Sequence, residues 1–226
     1  MGAADSGAAA IFGHAPTLRV DHPVRGALHG SAACASLAVA LYVAWLPRDS
    51  AQAQTVFIVL ALSHCALYAV SALYHSAPWC PTWKCRMQRL DHSLIYVKVA
   101  GTLTPFLWLG ASAELRGPLV ATSWAIAAAG VANKWVRRGR GAPVRLQLAQ
   151  LCLLLPPALR SVGGDVPLGA SALLMGAATC YTAGAAVYLT RRPQLWPGVF
   201  SFHELFHLLL VFASACVYVF LLAHVV

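Results

Sequence analysis

Long apolar runs dominate the chain, separated by short stretches where proline, glycine and basic residues gather. The runs fall at 27–46, 54–75, 91–110, 117–135, 146–162, 167–189 and 203–225. A helix of about 20 residues crosses a hydrocarbon core roughly 30 Å thick and satisfies its own backbone amides, which lipid cannot do. None of the runs shows the apolar–polar alternation of a transmembrane barrel strand. The pattern therefore predicts an all-α integral membrane protein: a seven-transmembrane helix bundle formed by a single domain over residues 21–226. The fifth run ends at Pro156-Pro157, which breaks a helix, and without it the count falls to six. Residues 1–20 are rich in Gly, Ala and Pro and lack an apolar stretch with a cleavage site, so they read as a short disordered tail.

Composition fits a chain whose solvent is mostly lipid, because 59% of its residues are hydrophobic and only 10% are charged. Soluble domains carry about a quarter. The net charge of +9 is accounted for by its distribution, since Lys and Arg accumulate in short cytoplasmic loops. With the N-terminus cytoplasmic, the inner segments hold Arg19, Arg25, Lys84, Arg86, Arg89, Lys134, Arg137, Arg138, Arg140, Arg145, Arg191 and Arg192. The outer segments hold only Arg48, Arg116 and Arg160. Seven spans then place the C-terminus outside. Membrane lipids are the partners such a chain requires, and a nucleic-acid partner is unnecessary to explain the charge. The seven cysteines form no disulfide framework, and Cys80 and Cys85 read as ordinary thiols.

Ionisable groups inside spans are costly and mark function by default. The second span ends Ser71-Ala72-Leu73-Tyr74-His75, the third opens with Asp91-His92, and the seventh opens Ser201-Phe202-His203-Glu204-Leu205-Phe206-His207. On the topology above all three clusters lie at the cytoplasmic side. His203 and His207 are four apart and share a helix face, as do Ser71 and His75. Three neutral imidazoles on two helices, His75, His203 and His207, suit a zinc ion whose fourth position is left to water. Asp91 is placed to orient that water or take its proton, and Ser71 to hydrogen-bond the water or a substrate. The plainer alternative for a single His at a span end is an interfacial polar residue.

His203-Glu204-Leu205-Phe206-His207 also spells the zincin motif, with Glu204 as general base. Glu204 points about 100° away from the two histidines, and the next polar candidate, His224, lies about 25 Å further along a helix. Helix capping or an interfacial role suits Glu204 better. His64 shares a face with Ser71 and His75 but lies too deep to ligate with them. Lys98 follows Asp91 by seven residues, facing the same cavity or bonding a backbone carbonyl. His29 reads equally as an interfacial residue or as a support for the metal's ligands. Trp45, Trp79, Trp108 and Trp196 sit at span ends, where aromatic belts form.

Taken together, Arg25-Gly26-Ala27-Leu28-His29, Ser71 to His75, Arg89-Leu90-Asp91-His92-Ser93, Ala100-Gly101-Thr102-Leu103-Thr104-Pro105 and Trp196 to His207 resemble the hemolysin III family. That family is grouped with the progestin and adipoQ receptors, including the adiponectin receptors, and is more distantly similar to alkaline ceramidases. The resemblance runs in order over about residues 20–226. It implies seven helices, zinc held by His75, His203 and His207, and Asp91 and Ser71 beside the metal's water. Three positions depart from the pattern: Lys98 interrupts a stretch that is usually apolar, Val217 stands where relatives often carry His, and Arg25-Gly26 replaces an Asn-centred version. The expected activity is zinc-dependent hydrolysis of a lipid amide or ester, ceramidase-like. The other two readings are a receptor or membrane-stress sensor with a structural zinc, and the channel or cytolysin role that the family name implies.

Overall fold

Six long helices account for most of what the computed structural model describes, namely residues 23–47, 50–136, 154, 167–196 and 199–224. They are α1 (Pro23–Trp45), α2 (Ala51–Ser76), α3 (Pro81–Gly110), α4 (Ala113–Val136), α5 (Leu168–Thr190) and α6 (Phe202–His224). All six are long and apolar enough to cross a membrane. Among the described residues no sheet forms, and the β-type contact is an isolated bridge between Trp196 and Phe200. The tail at 1–20 lies outside the described residues, and so, apart from Leu154, does the fifth predicted span at 146–162.

The helix boundaries follow the apolar runs closely except at α3, which begins at Pro81 where the run predicted 91. An apolar run marks where lipid is, whereas the helix extends as far as its backbone is supported. Pro81 sits in the first turn, where its missing N–H costs nothing and its fixed φ suits a helix. The basic turns that follow are held over aromatic rings, Lys84 above Tyr74 and Arg86 above Trp83, each 5.0 Å from the ring centroid. Other ends are capped in ordinary ways. Ser50 accepts a hydrogen bond from the N–H of Ala53 at the start of α2, and Glu114 and Lys134 lie at the ends of α4 that suit their charges.

Named contacts fix the direction of every helix. Gln54 donates to the carbonyl of Val43, and His29 packs on Tyr68, so α1 and α2 are antiparallel. His64 pairs with Thr102 and Ser71 with Asp91, so α2 and α3 are antiparallel. Trp124 donates to Thr104 and Lys134 meets His92, which makes α4 antiparallel to α3. Tyr188 packs on His203, and Gly176 faces Cys216, which makes α5 antiparallel to α6. Between α1 and α6 the pairs are Arg25 with Glu204, His29 with His207 and Ser36 with Tyr218, so these two helices are parallel. One end of the bundle therefore collects the start of α1, α3 and α6 and the finish of α2, α4 and α5. Val136 lies at that end and Leu168 at the other.

Apolar side chains face both ways, as they must when the outside is also apolar. Leu41, Leu62, Leu73, Phe212 and Val219 are exposed on the outer faces, while Val43, Phe57, Leu60, Ala177, Val217 and Leu221 join four helices in one cluster. Lipid supplies no hydrophobic drive between helices, so close backbone approach and hydrogen bonds hold such bundles together. Gly101 of α3 and Ser63 of α2 make one close approach: a Cβ at Gly101 would overlap Ser63 Oγ and lie 2.5 Å from Ser63 Cβ. Gly101→Ala is expected to cost about 1–3 kcal/mol through overpacking, read as a lower melting temperature in detergent. Adding Ser63→Gly should recover part of the loss; a Gly101→Ala protein that melts like the wild type would place the two helices further apart than described.

Candidate metal centre

At the end of the bundle that gathers the starts of α1, α3 and α6, the backbone hydrogen bonds that Trp196 and Phe200 exchange close a turn just before α6. Ser201 is the N-cap of that helix. Its hydroxyl accepts from the N–H of His203 at 3.3 Å, while its own N–H donates to Glu204 Oε2 at 2.8 Å. This reciprocal pairing is a capping box, and it satisfies two of the amides that a helix start leaves open. Glu204 also accepts from the Ser201 hydroxyl and, through Oε1, from Arg25 Nε at 2.7 Å. The capping role expected of Glu204 is what the structure shows, and the ion pair to α1 adds to it. Held on both oxygens, Glu204 is not presented as a general base.

The cap fixes where His203 and His207 stand. His75, in the last turn of α2, meets them across the helix seam with ring centroids 5.4 and 5.2 Å away, and His203 and His207 lie 4.7 Å apart. One ring nitrogen from each of the three lies within 4.8 Å of the others. His75 and His207 are buried and His203 is partly so. Nδ1 of His207 is engaged by the ring of His29, at 2.7 Å from its Nε2 and 3.1 Å from its Nδ1. Nε2 of His207 is buried with no hydrogen-bond partner. A buried polar nitrogen without a partner costs free energy and is rare enough to need a reason.

Ser71 is one turn before His75 on the same face of α2, about 6 Å along the axis. Its side chain is hydrogen-bonded to Asp91, and both residues are buried. Thus the structure brings His75, His203 and His207 together and pairs Ser71 with Asp91 beside them, at the same end of the bundle. Around the triad stand the rings of Tyr74, Tyr188 and Phe206.

Deeper in the bundle lies a second polar group of residues. Lys98 donates to the hydroxyl of Tyr181 at 2.8 Å and sits 4.5 Å from that ring, so its partner is a phenol on α5, not a backbone carbonyl. Tyr68 bonds Ser214 at 2.6 Å, and His64 bonds Thr102 at 2.8 Å, away from the triad. Sequence reasoning did not find the Arg25–Glu204 pair. A signal for it exists in the matched spacing of Arg25 to His29 and Glu204 to His207, one turn each on two parallel helices.

A family model described as haemolysin-III related matches residues 19–218. Hemolysin-3 of Bacillus cereus is 29% identical over 173 residues, covering 76% of this chain and 75% of the relative. A Hemolysin-3 homolog of Bacillus subtilis (strain 168) is 29% identical over 167 residues, covering 72% of this chain and 73% of the relative.

The α1–α6 link is open to a double-mutant cycle. Arg25→Met and Glu204→Gln each remove the ion pair, and their losses in thermal stability are expected to be non-additive by about 0.5–3 kcal/mol. Additive losses would show that the two side chains do not interact.

Proposed function

The chain belongs to the haemolysin-III-related family, and on that premise we propose that it is a zinc-dependent hydrolase, ceramidase-like, that cleaves an amide or ester bond of a membrane lipid. The observation that carries the proposal is the pairing of a three-imidazole donor set with a buried carboxylate that a serine holds. The donor set fits zinc. Imidazole nitrogen is a preferred ligand, and three protein ligands are the number found where a position is kept open for chemistry. Nε2 of His207 is buried without a hydrogen-bond partner, which leaves it available to a metal. When bound by His75, His203 and His207, zinc would supply Lewis acidity toward the lipid carbonyl and make water a nucleophile at neutral pH.

The remaining work falls to the chain's own groups. Hydrolysis adds water across the C–N or C–O bond, so one proton must leave the attacking water and one must reach the departing nitrogen or oxygen. Asp91 is the acid–base group for both transfers, and the Ser71 hydroxyl holds its carboxyl in place. Arg25 and Glu204 hold α1 against α6, and the capping box fixes the start of α6, which positions the two histidines there. A lipid is the substrate that reaches such a site without leaving the membrane, and Leu195, Trp196 and Val199, exposed just before α6, offer it an apolar and aromatic rim.

We also propose that the chain has seven spans, with the N-terminus and the metal centre on the cytoplasmic side and the C-terminus outside. Two features support this. Arg25, Lys84, Arg86, Arg89, Lys134, Arg191 and Arg192 all lie at the end of the bundle that holds the centre, and Arg116 lies at the other. In addition α4 and α5 run in the same direction, and a chain that leaves α4 at one face and enters α5 at the other crosses once more between them.

Purified protein is expected to carry about one zinc per chain, and His203→Ala and His207→Ala to lose it, because two donors are too few. Asp91→Asn should keep the zinc but lose about 10² to 10⁴ in turnover of a panel of ceramides and simple lipid amides and esters. Unchanged zinc in both histidine variants would remove the site, and equal turnover by wild type and Asp91→Asn would remove the role of Asp91. Zinc without turnover in either protein would make the metal the structural element of a sensor. Cysteine labelling from the two sides is expected to place the loop from Lys134 to Arg145 in the cytoplasm and Val226 outside. Both positions on one side would mean an even number of spans.

A further inference from the structure

His29 belongs to none of the elements that carry the donor set, yet it makes the closest polar contact that any described residue makes with His207. Both rings are 2% exposed, and their centroids are 3.9 Å apart. The contact is a shared proton between His207 Nδ1 and His29 Nε2 at 2.7 Å. Two arrangements satisfy it. If His29 donates, neutral His207 carries its own proton on Nε2 and has no lone pair to offer there. If His207 donates from Nδ1, its Nε2 keeps the lone pair, and that is the atom left without a partner.

We infer that His29 is a positioning residue: as a neutral acceptor it holds His207 in the Nδ1–H tautomer and aims Nε2 into the metal site. The inference rests on the zinc reading above and extends it to a residue outside the triad. Such a hydrogen bond to the far nitrogen of a ligating histidine sets its tautomer and ring orientation and raises its basicity as a ligand.

The support for His29 is itself anchored. On one side its ring packs on Tyr68 at 4.9 Å, and the Tyr68 hydroxyl is tied to α6 through Ser214 at 2.6 Å and the carbonyl of Leu210 at 3.2 Å. Leu210 follows His207 by three residues. A closed circuit thus runs from α6 through Tyr68 of α2 and His29 of α1 back to α6. One turn before His29 in α1, the Arg25–Glu204 pair locks the same two helices in register. The ring of His29 therefore has little freedom to turn away from His207.

The inference separates the acceptor from mere bulk. His29→Phe and His29→Leu keep an apolar side chain in the space but remove the acceptor, while His29→Gln restores one at a similar reach. Zinc affinity is measured on each purified protein by competition with a chromophoric chelator, and cobalt(II) substitution reports ligand geometry through its visible absorption. His29→Phe and His29→Leu should bind zinc about 10- to 100-fold more weakly with an altered cobalt spectrum. His29→Gln should recover most of the affinity and the wild-type spectrum. Wild-type affinity in either apolar variant, or a glutamine variant no tighter than the apolar ones, would overturn the role of His29 alone. A wild-type protein that binds no zinc would overturn the metal reading and this inference with it.

Discussion

Inside a bilayer a polar side chain has no water to fall back on, and this constraint organises the interior of the bundle. Every ionisable residue that the helices carry into the hydrocarbon must find a partner on another helix or serve a ligand. Lys98 is matched by Tyr181, His64 by Thr102, Tyr68 by Ser214 and Tyr218 by Ser36. Each pair joins two different helices, so the polar groups act as the directional glue that apolar packing in lipid cannot supply. Nε2 of His207 is among the buried atoms left without a partner, as are Nδ1 of His64 and the hydroxyl of Tyr96, but it is the one that belongs to the histidine triad.

The sixth helix is where this constraint becomes topology. It contacts α1, α2 and α5 through named pairs, and with α1 it is parallel. In a chain whose neighbours alternate, the first and sixth of six consecutive spans would be antiparallel. The start of α6 would then lie across the membrane from the finish of α2, and His203 and His207 could not meet His75. The meeting of His75 with His203 and His207 and the parallel run of α1 and α6 are thus one geometric fact seen twice.

Much of this was legible in the sequence because it follows from periods and sides. The apolar runs located all six described helices, and the four-residue spacings placed Ser71 with His75 and His203 with His207 on common faces. The positive-inside bias put His75, Asp91 and His203 at one depth before any contact was known. What resisted reading was the pairing of faces between helices. With lipid outside, apolar residues occur on every side of α1, so nothing local tells that Arg25 and His29 meet α6 and not another helix or the headgroups. The partner of Lys98 was hidden for the same reason, since Tyr181 is 83 residues away and nothing local links it to α3. The early start of α3 escaped because its first turns are polar, and hydropathy is blind to a helix that continues into the headgroups.

The motif His203-Glu204-Leu205-Phe206-His207 shows how far a local pattern can carry chemistry. In a zincin the same spacing gives two ligands and a base. Here the two imidazoles do converge with a third, but the intervening acid is spent elsewhere. Glu204 is the third residue of α6, the position from which a carboxylate reaches back to the open N–H of the cap, and its other oxygen faces a cation on the parallel helix. A base needs a free lone pair toward the substrate, and both oxygens of Glu204 are bound to partners that also set where the helix begins. In the proposed hydrolase the acid–base role falls instead to Asp91, which is hydrogen-bonded to Ser71. Position relative to the helix start, and not the motif, decides what the glutamate does.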